Sequence, residues 1–404
     1  MAQQAVEMAR CPDAEPSTQT YAIQYADGSL SLHGYGQPVF TLCAKNEDHL
    51  QTLLKSDAYT LATAFVEKQF DVEGDLIEAI RFYRSQQRPS WKGRFLSLLA
   101  GAAKMIGTAS GSTEKHIQFH YSQSNEFYKL FLDPRMVYSC AYFRKADLTL
   151  EEAQLEKLNH ICRKLDLQEG DRFLDIGCGW GALVLHAVLR YGAEGTGCTL
   201  SDAQLHLALS LAMEKAVTSK AYFAKRDYRS LSGEYDKIAS VGMFEHVGHK
   251  NARQYFRTIA TILAPGGLFL NHAIARPEQV EDTPETLFLQ RRVFPGGELI
   301  RLSDVVRFAE AEGLEALDVE NLRPHYARTC KAWVDGLRKT GSQAVQYVSE
   351  NTYRTWMLYL ASSSLSFEQG DTTIYQVLFA KREAKRLHMT REYIYSGRGS
   401  SATR

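Results

Sequence analysis

The sequence lacks a net charge, because its 404 residues carry 47 Lys and Arg side chains against 47 Asp and Glu. This balance excludes proteins that coat nucleic acid through bulk positive charge. The sequence also lacks an apolar stretch of the roughly 18 residues that a membrane-spanning helix requires. Its start, MAQQAVEMARCPDAEP, has no basic region followed by an apolar run, which argues against a signal peptide. We therefore expect a cytoplasmic protein, which could still touch a membrane surface.

Paired cysteines are missing too. The seven cysteines form no CxxC spacing, and because their number is odd, pairing would leave one of them unpaired. They are Cys11, Cys43, Cys140, Cys162, Cys178, Cys198 and Cys330. This pattern argues against a disulfide framework and against a zinc site, so no metal is expected. Cys140 stands out because it lies in YSCAYF, among three aromatic residues. A buried core thiol and a functional thiol are both open at this point.

The N-terminal third predicts a small α+β domain. After a polar leader over residues 1–18, YAIQYADGSLSLHGYGQPVFTL alternates apolar and polar residues around an Ala-Asp-Gly-Ser turn, as a hairpin does. Helical periodicity follows in DHLQTLLKSD, AYTLATAFVEKQF and DLIEAIRFYRSQQ, which places the domain at 19–88. Residues 89–115 are basic, partly apolar and rich in Gly, Ser and Thr near their end. They predict a linker with one short amphipathic helix, and membrane contact is the alternative role.

From Leu150 onwards, short buried strands alternate with helices. This succession is typical of a doubly wound, mostly parallel α/β sheet, which we predict within a domain over 116–384. A long helical insertion is expected at roughly 277–360, before the last strand, TTIYQVLFAKR. Residues 385–404 form a predicted tail.

A glycine-rich turn follows the first strand of this domain. FLDIGCGWG places Gly177, Gly179 and Gly181 between a strand and a helix, with Asp175 two residues before the first glycine. Glycine allows close approach of a ligand to the backbone. The GxGxG spacing differs from the GxGxxG of dinucleotide sites and suits S-adenosylmethionine, whose ammonium needs a carboxylate. A tight strand–helix turn without a ligand is the alternative.

Polar side chains follow the next two strands. CTLSDAQ supplies Thr199, Ser201, Asp202 and Gln204 where most such enzymes place an Asp or Glu for the ribose, and a side chain such as Gln204 could bind the ribose hydroxyls. Leu200 is a further candidate for binding the cofactor. Asp227, in KRDY, is placed to bind an adenine amino group, although a solvated loop aspartate would read the same way.

With these residues in view, the chain resembles the cyclopropane-fatty-acid synthase family of S-adenosylmethionine-dependent methyltransferases. The similar segments occur in order over residues 120–333: HYSQSNEFYKLFLDPRMVYSCAYF, TLEEAQLEKLNHICRKLDL, LDIGCGWGAL, GCTLSDAQ, KRDYRSL, GMFEHVGHKN, APGGLFLNH and RPHYARTCKAW. IYQVLFAKR near the end fits as well, and VEKQFDVEGDL resembles the extra N-terminal domain of longer bacterial members.

The resemblance implies a seven-stranded Rossmann-like methyltransferase sheet with a helical lid. It also implies transfer of a methyl carbon to the double bond of an unsaturated phospholipid acyl chain, through a carbocation that closes a cyclopropane ring. The base in this family is a bound bicarbonate ion. The matching positions here are Cys140, Glu245, His272, the backbone of Ile274, and Tyr326. On this reading Cys140 donates to an anion and is neither a nucleophile nor a metal ligand. Taken singly, Cys140, His272 and Tyr326 would read as ordinary core or loop residues, whereas Glu245 lies at a strand end, where cofactor and catalytic residues gather.

Further roles follow from the same resemblance. Tyr138 and Ser139 should border the methionine end of the cofactor, and Phe244 should lie near the adenosine. His120 and Tyr121 should cover the cofactor, unless they cap or pack a helix. The stretch LFLQRRVFPGGELIRLSDVVRFAEAEG should form the lid, with candidates for meeting lipid phosphates at Arg291, Arg292 and Arg301. A solvated helix face is the other reading of these arginines.

Several alternatives stay open. The sequence has NHAIARP where the bacterial synthases have a form like HTIG, and HYSQSN where an aspartate commonly follows the tyrosine. Either change could alter the substrate or give methylene- or methyl-branched chains, and another lipid such as a sphingolipid is possible. An inert lipid-binding protein and a small-molecule O- or N-methyltransferase are the competing classes. Transient association with the inner membrane surface and a homodimer are expected from the family alone.

Overall fold

The computed structural model describes residues 20–86, 124–278, 284–293, 297–382 and 388–395. The predicted leader and the predicted linker lie outside these ranges. Contacts between Cα atoms divide the chain into two compact units. The first unit comprises Met1–Ala109, Glu281–Val293 and Val348–Leu365, and the second comprises Ser110–Val280, Phe294–Tyr347 and Ser366–Arg404.

The elements are numbered along the described chain. The strands are β1 (Tyr21–Tyr25), β2 (Leu30–His33), β3 (Phe40–Ala44), β4 (Phe70–Gly74), β5 (Arg172–Ile176), β6 (Glu194–Thr199), β7 (Ala221–Lys225), β8 (Tyr235–Val241), β9 (Leu263–Ala275), β10 (Leu314–Asn321) and β11 (Thr373–Lys381). The α-helices are α1 (Glu47–Leu54), α2 (Ala58–Val66), α3 (Leu76–Gln86), α4 (Asn125–Lys129), α5 (Leu150–Lys164), α6 (Ala182–His186), α7 (Asp202–Glu214), α8 (His249–Ile262), α9 (Pro284–Arg292), α10 (Leu302–Ala311), α11 (Arg323–Lys339), α12 (Gly341–Tyr347), α13 (Glu350–Gln369) and α14 (Glu392–Tyr395).

The first unit contains a four-stranded sheet in the order β2, β1, β3, β4. Strands β1 and β2 form the expected antiparallel hairpin, and β1 pairs in parallel with β3. Along β3, Phe40, Leu42 and Ala44 are buried while the residues between them are partly exposed. This period of two is what a sheet with one covered face requires.

The second unit is built on a seven-stranded sheet in the order β10, β11, β9, β8, β5, β6, β7. The strands from β9 to β7 run parallel, and β11 is antiparallel to both of its neighbours. The chain passes from β5 to β6 and β7 on one side and returns to β8 on the other side. The order therefore reverses at β5, which confirms the predicted doubly wound, mostly parallel sheet. Ligands in such sheets bind outside the carboxyl ends of the strands at the point of reversal.

Apolar side chains cover both faces of this sheet. In β5, Phe173 packs with buried residues of α5 and α6, whereas its neighbour Leu174 packs with buried residues of α8. A strand that sends alternate side chains into two cores is mostly apolar, and in RFLDI the apolar residues Phe173, Leu174 and Ile176 flank one buried carboxylate, that of Asp175. Helix α5 begins with a capping box between Thr149 and Glu152, which satisfies backbone N–H groups at its first turn.

Two predicted elements differ in the structure. The helix expected through AYTLATAFVEKQF ends at Val66, because Lys68 adopts a φ of 60° and Phe70 begins β4. The insertion expected to be helical over 277–360 also contains β10, which pairs antiparallel with β11. The sequence of β10, LEALDVEN, carries three acidic residues in eight, so it lacks the apolar run of the other strands. Within the described ranges, no helix has the length and apolar character needed to span a membrane.

Candidate active site

The turn after β5 requires glycine for two different reasons. Gly177 has a φ of +80°, and a Cβ there would lie 2.7 Å from Cγ of Met243. Gly179 has a φ of +54°, and a Cβ there would meet nothing within 4 Å. Packing therefore excludes a side chain at Gly177, whereas the backbone at Gly179 faces open space that a ligand can approach closely.

A cavity opens at the carboxyl ends of β5, β6 and β8, where the strand order reverses. It contains about 1060 Å³ of space free of protein atoms, counting its mouth. The predicted cofactor residues that line it are Tyr138, Ser139, Asp175, Gly177, Gly179, Thr199, Leu200, Gln204 and Asp227.

Three residues predicted to bind the cofactor are not part of this lining. Gly181 precedes α6, and a Cβ there would lie 2.8 Å from the ring of Phe223. Ser201 caps α7, where its hydroxyl accepts the backbone N–H of Gln204. Phe244 is 1% exposed and packs in the core with its ring centroid 5.0 Å from that of Tyr255. Helix capping and core packing account for these three positions.

A buried carboxylic acid and a buried amine line the cavity. Asp175 is 3% exposed, and its Oδ1 atom has no hydrogen-bond partner. Burial raises the pKa of Asp175 to about 7, an effect that nearby Lys157 opposes. Lys157, in α5, is also 3% exposed and donates from Nζ to Oγ of Ser139 at 2.9 Å. Burial lowers the pKa of Lys157 to about 8, although Asp133, Cys140 and Asp175 pull it upwards.

The polar residues after β6 and β7 are already ordered by their own contacts. The hydroxyl of Thr199 donates to Oε1 of Gln204 at 2.7 Å. The carboxylate of Asp227 accepts the backbone N–H of Arg229 at 2.9 Å and its guanidinium at 2.8 and 2.7 Å. The side-chain hydrogen bond from Arg229 lowers the pKa of Asp227, so this carboxylate is ionised and paired with the guanidinium of Arg229.

A second group of polar residues, the polar centre, lies along β9. It comprises Glu245 of the short helical turn after β8, which contacts Ile274, and Gln376 of β11, which contacts His272. Oε1 of Glu245 accepts the backbone N–H of Ile274 at 2.7 Å, and Oε2 has no hydrogen-bond partner. Burial raises the pKa of Glu245 to about 7. His272 is 1% exposed, and burial holds its pKa well below the ordinary value, so its ring is neutral. Nε2 of Gln376 donates to Nδ1 of His272 at 3.3 Å, which leaves the ring hydrogen on Nε2, an atom without a partner.

Cys140 and Tyr326 both donate to one backbone carbonyl just before α11. The buried thiol of Cys140 donates to the carbonyl of Ala141 at 3.3 Å and to that of Leu322 at 3.8 Å. The same Leu322 carbonyl accepts the backbone N–H of Tyr326 at 3.0 Å. Burial raises the pKa of the Cys140 thiol, which excludes a resting thiolate.

One backbone framework connects these predicted anion-site positions. The N–H of Leu322 donates to the carbonyl of Ile374, and Ile374 lies opposite Ile274 in the sheet. Within the part of the chain that the structure describes, no hydrogen bond joins the Cys140 thiol to Glu245 or His272. None of the five predicted residues lines the cavity at the glycine turn.

Some residues at these two centres were missed by the sequence reasoning. Lys157 and Gln376 are the clearest cases, since each is buried and contacts a predicted site residue. The sequence did carry a signal for the burial of Lys157, because this lysine shares the apolar face of α5 with Ala153, Leu158 and Ile161. For Gln376 the signal was a single amide in the otherwise apolar strand TIYQVLFAK.

The remaining candidates do not line the cavity or fall outside the described residues. His120 and Tyr121 fall outside the described residues, as does the side chain of Arg291. Arg292 is exposed, and Arg301 forms an ion pair with Glu278 at 3.2 Å.

Comparison with known proteins identifies the relatives of this chain. The profile of the family described as mycolic acid cyclopropane synthetase matches residues 109–377. A probable fatty acid methyltransferase of Pseudomonas putida is 39% identical over 367 residues, which cover 89% of this chain and 92% of that protein. Cyclopropane mycolic acid synthase 3 of Mycobacterium tuberculosis is 34% identical over 277 residues, covering 66% of this chain and 96% of that protein.

A solved structure agrees with these sequence matches. The mycolic acid cyclopropane synthase CmaA1, complexed with SAH and CTAB, superimposes with a TM-score of 0.64 at 32% identity. The match covers 68% of this chain and 100% of that one. The glycine turn, the position of the cavity and these relatives agree with one another. The chain belongs to the cyclopropane synthase and fatty acid methyltransferase family of S-adenosylmethionine-dependent methyltransferases.

Proposed function

We propose that this protein transfers a methyl carbon from S-adenosylmethionine to the double bond of an unsaturated phospholipid acyl chain and closes a cyclopropane ring. A bound bicarbonate ion would serve as the base. The observation that carries the proposal is the polar centre beside β9 and β11. There, Glu245 and His272 are buried, and each keeps one side-chain atom without a partner. Buried polar atoms are rarely left unsatisfied, and exceptions point to a bound group.

The cavity at the glycine turn fits the proposed cofactor. Oδ1 of Asp175 is an unpartnered acceptor on the lining and suits an ammonium group. Gly179 offers open space beside its backbone, and Gln204 and Asp227 line the part that would hold ribose and adenine. When bound, S-adenosylmethionine supplies a methyl group activated by its sulfonium. The residues named here would bind it and hold it in line with the alkene.

The polar centre offers one donor and one acceptor to an anion of the shape of bicarbonate. Nε2–H of His272 would donate, and Oε2 of Glu245 would accept the hydroxyl proton. The Cys140 thiol and the Ile274 N–H already donate to protein oxygens, so binding by them would require those bonds to be exchanged. A carboxyl group with a pKa of about 7 can take up and release a proton near neutral pH, as proton removal from the new methyl group requires.

Aromatic rings near Cys140 suit a positively charged acyl chain. The ring of Trp333 lies with its centroid 5.0 Å from that of Tyr138 and 6.0 Å from that of Tyr326. Phe367 stacks on Tyr326 at 4.5 Å. The faces of such rings attract cations, so this group would stabilise the cation that forms when the alkene accepts a methyl carbon.

The substrate would be reached at the inner membrane surface, where the protein would associate transiently, with a homodimer as the expected assembly. The acyl-chain profile of cells that express the protein tests the product. Monounsaturated chains should gain one CH2 unit and should survive mild hydrogenation, as measured by gas chromatography and mass spectrometry. An unchanged profile would contradict the proposal and would favour an inert lipid-binding protein if S-adenosylhomocysteine also fails to bind.

A second candidate is a methylene- or methyl-branched product. The match to the Pseudomonas putida protein supports it, because it spans 89% of this chain and the printed name of that protein is fatty acid methyltransferase. The same carbocation gives the methylene-branched chain when a hydride first shifts from the methylated carbon to the cationic carbon and the transferred methyl group then loses a proton. Loss of a proton from a neighbouring chain carbon gives a methyl-branched alkene instead. A gain of one CH2 unit followed by uptake of hydrogen would identify the methylene-branched product.

A further inference from the structure

Lys157 is a buried cation for which the proposed reaction gives no role. It lies in α5, is 3% exposed, and lines the cavity at the glycine turn. Removing an ammonium group from water is costly unless other groups compensate for the lost hydration. Its Nζ makes one hydrogen bond, to Oγ of Ser139 at 2.9 Å, and Ser139 lines the same cavity.

The acidic groups near Lys157 do not form a close pair with it. Among the described residues, no carboxylate oxygen lies within 4.0 Å of its Nζ atom. Asp133 is nearby, but its carboxylate already accepts the backbone N–H groups of Val137 at 2.9 Å and Arg135 at 3.1 Å. Asp175 is the other acid, and its Oδ1 has no partner.

The cavity therefore carries a buried cation and a buried anion that are not bonded to each other. Both Lys157 and Asp175 are 3% exposed and both are on its lining. A ligand that carries a positive and a negative group on one carbon atom would satisfy Lys157 and Asp175 at once. The free amino acid end of S-adenosylmethionine is such a zwitterion, and its ammonium and carboxylate share one carbon.

We propose that Lys157 recognises the carboxylate of the cofactor, together with the Ser139 hydroxyl, while Asp175 receives the ammonium. The inference rests on the proposed use of S-adenosylmethionine and names the residue that selects its amino acid end. Lys157 and Asp175 thereby distinguish complete cofactor molecules from nucleosides that lack this end. Lys157 is a binding residue in this scheme and takes no part in proton transfer.

Two probes separate this role from a general structural one. S-adenosylhomocysteine carries the amino acid end, and 5′-methylthioadenosine has the same nucleoside and sulfur without it. Isothermal titration calorimetry on the full chain measures both. We expect Lys157→Met to weaken S-adenosylhomocysteine binding about ten-fold or more, roughly the 1.4 kcal/mol that such a change in affinity represents, and to leave 5′-methylthioadenosine within two-fold.

Lys237→Met is the matched control. Lys237 is also buried, at 6% exposed, but it lies near the start of β8 and is not on the cavity lining. The Lys237→Met variant should keep its affinities for S-adenosylhomocysteine and 5′-methylthioadenosine within two-fold of the wild type. If Lys157→Met fails to fold, Ser139→Ala takes its place, because it removes the hydroxyl that Lys157 contacts. We expect Ser139→Ala to weaken the binding of S-adenosylhomocysteine and to leave that of 5′-methylthioadenosine unchanged.

The inference is overturned if Lys157→Met leaves S-adenosylhomocysteine binding unchanged, or if both probes weaken equally. For Ser139→Ala, the same two results count against it. Its failure is distinct from failure of the proposed lipid chemistry. If Lys157→Met selectively loses affinity for S-adenosylhomocysteine while the wild type forms no lipid product, the binding role of Lys157 is supported and the proposed lipid substrate is contradicted. A wild type that binds neither probe would contradict both.

Discussion

Glu245 is the residue on which the proposed proton removal depends most directly. It is buried, it holds the Ile274 N–H through Oε1, and its Oε2 is unpartnered. We predict that Glu245→Gln lowers turnover on unsaturated lipid vesicles by about 100-fold or more, the usual range for loss of acid–base catalysis. S-adenosylhomocysteine affinity should stay within two-fold, because Glu245 does not line the cavity.

The control for this variant is Glu194→Gln, at an exposed position in β6, which should keep both turnover and affinity. Full activity of Glu245→Gln would remove the bound-base mechanism for this protein. Loss of S-adenosylhomocysteine binding would show that the residue supports the cofactor cavity instead.

Glu245 should also leave a signature in the pH dependence of stability. Burial raises its pKa from the ordinary value of 4.5 to about 7, so the folded state binds its proton more tightly than the unfolded state does. The resulting stabilisation is present below pH 4.5 and is lost as the pH rises through about 7. By linkage it amounts to at most about 3 kcal/mol.

Glu245→Gln cannot titrate, so its melting temperature minus that of the wild type should increase between pH 4.5 and pH 8. Differential scanning calorimetry of both proteins at the two pH values measures this difference. A difference that stays constant with pH would show that Glu245 titrates normally.

The residues of the site were predictable from sequence to different degrees. Asp175, Thr199 and Gln204 follow strand ends within recognisable motifs, so local spacing indicates their positions. Lys157 and Gln376 act through partners distant in sequence, 18 and 104 residues away respectively. Only tertiary packing brings these pairs together, and nothing in the local pattern of LEKLNH or IYQVLF specifies the partner.

At the scale of elements, the glycine turn after β5 makes a testable demand on the backbone. Gly177 and Gly170 share a φ of +80°, but a Cβ would clash with Met243 only at Gly177. Gly170→Ala should lower the free energy of unfolding by about 1–2 kcal/mol, because an alanine there must adopt the left-handed backbone conformation. Gly177→Ala should cost more, and it should also weaken S-adenosylhomocysteine because the displaced Met243 lines the cavity.

Thermal unfolding and calorimetric titration of the two alanine variants check this expectation. Equal losses of stability would mean that Met243 moves aside without cost. Unchanged S-adenosylhomocysteine affinity in Gly177→Ala would mean that the shape of the turn does not control binding.

The elements that sequence reasoning identified share a clear apolar pattern. The central strands of the second unit, such as β5, are buried on both faces and are mostly apolar in sequence. Strand β10 escaped detection because it is an edge strand, and its acidic residues bind cations: Asp318 and Glu320 lie 2.9 and 2.6 Å from Nζ of Lys164. Residues 67–69 read as helix because the turn there depends on pairing between β3 and β4, which helical periodicity does not record.

At the scale of the whole molecule, the chain divides into two compact units, and Arg354 stabilises the first. Its guanidinium donates to the carbonyls of Phe65 at 2.7 Å and Phe70 at 3.1 Å, and to the carboxylate of Asp71 at 3.0 and 3.1 Å. It is 5% exposed, so its loss removes a buried donor from these carbonyls and from Asp71.

We predict that Arg354→Met destabilises the first unit by roughly 3 kcal/mol, since it removes four hydrogen bonds of a buried guanidinium, each worth about 0.5–1.5 kcal/mol. Faster hydrogen exchange in β3 and β4 would report it. Arg257→Met, which removes a largely exposed arginine paired with Glu312, should cost less than about 1 kcal/mol. Unchanged exchange in Arg354→Met would show that the network contributes nothing.

The fold class of the whole molecule followed from the alternation of strands and helices, whereas its division into units did not. Residues 281–293 and 348–365 group with the N-terminal sheet, although they lie within the stretch expected to form a single insertion. Phe288 in α9 packs on Tyr59 in α2 at 5.7 Å, more than 200 residues away in sequence. The role of this stretch as a lid over an acyl chain stays a prediction.

The central claim is that a proton leaves the transferred methyl group as a cyclopropane ring closes. The most direct test supplies purified protein with S-adenosylmethionine carrying a trideuterated methyl group and with vesicles of a monounsaturated phospholipid. Mass spectrometry before and after mild hydrogenation then follows the acyl chains. The account predicts a product that retains two of the three deuterium atoms and resists hydrogenation. A product that keeps all three, or one that takes up hydrogen, would contradict it.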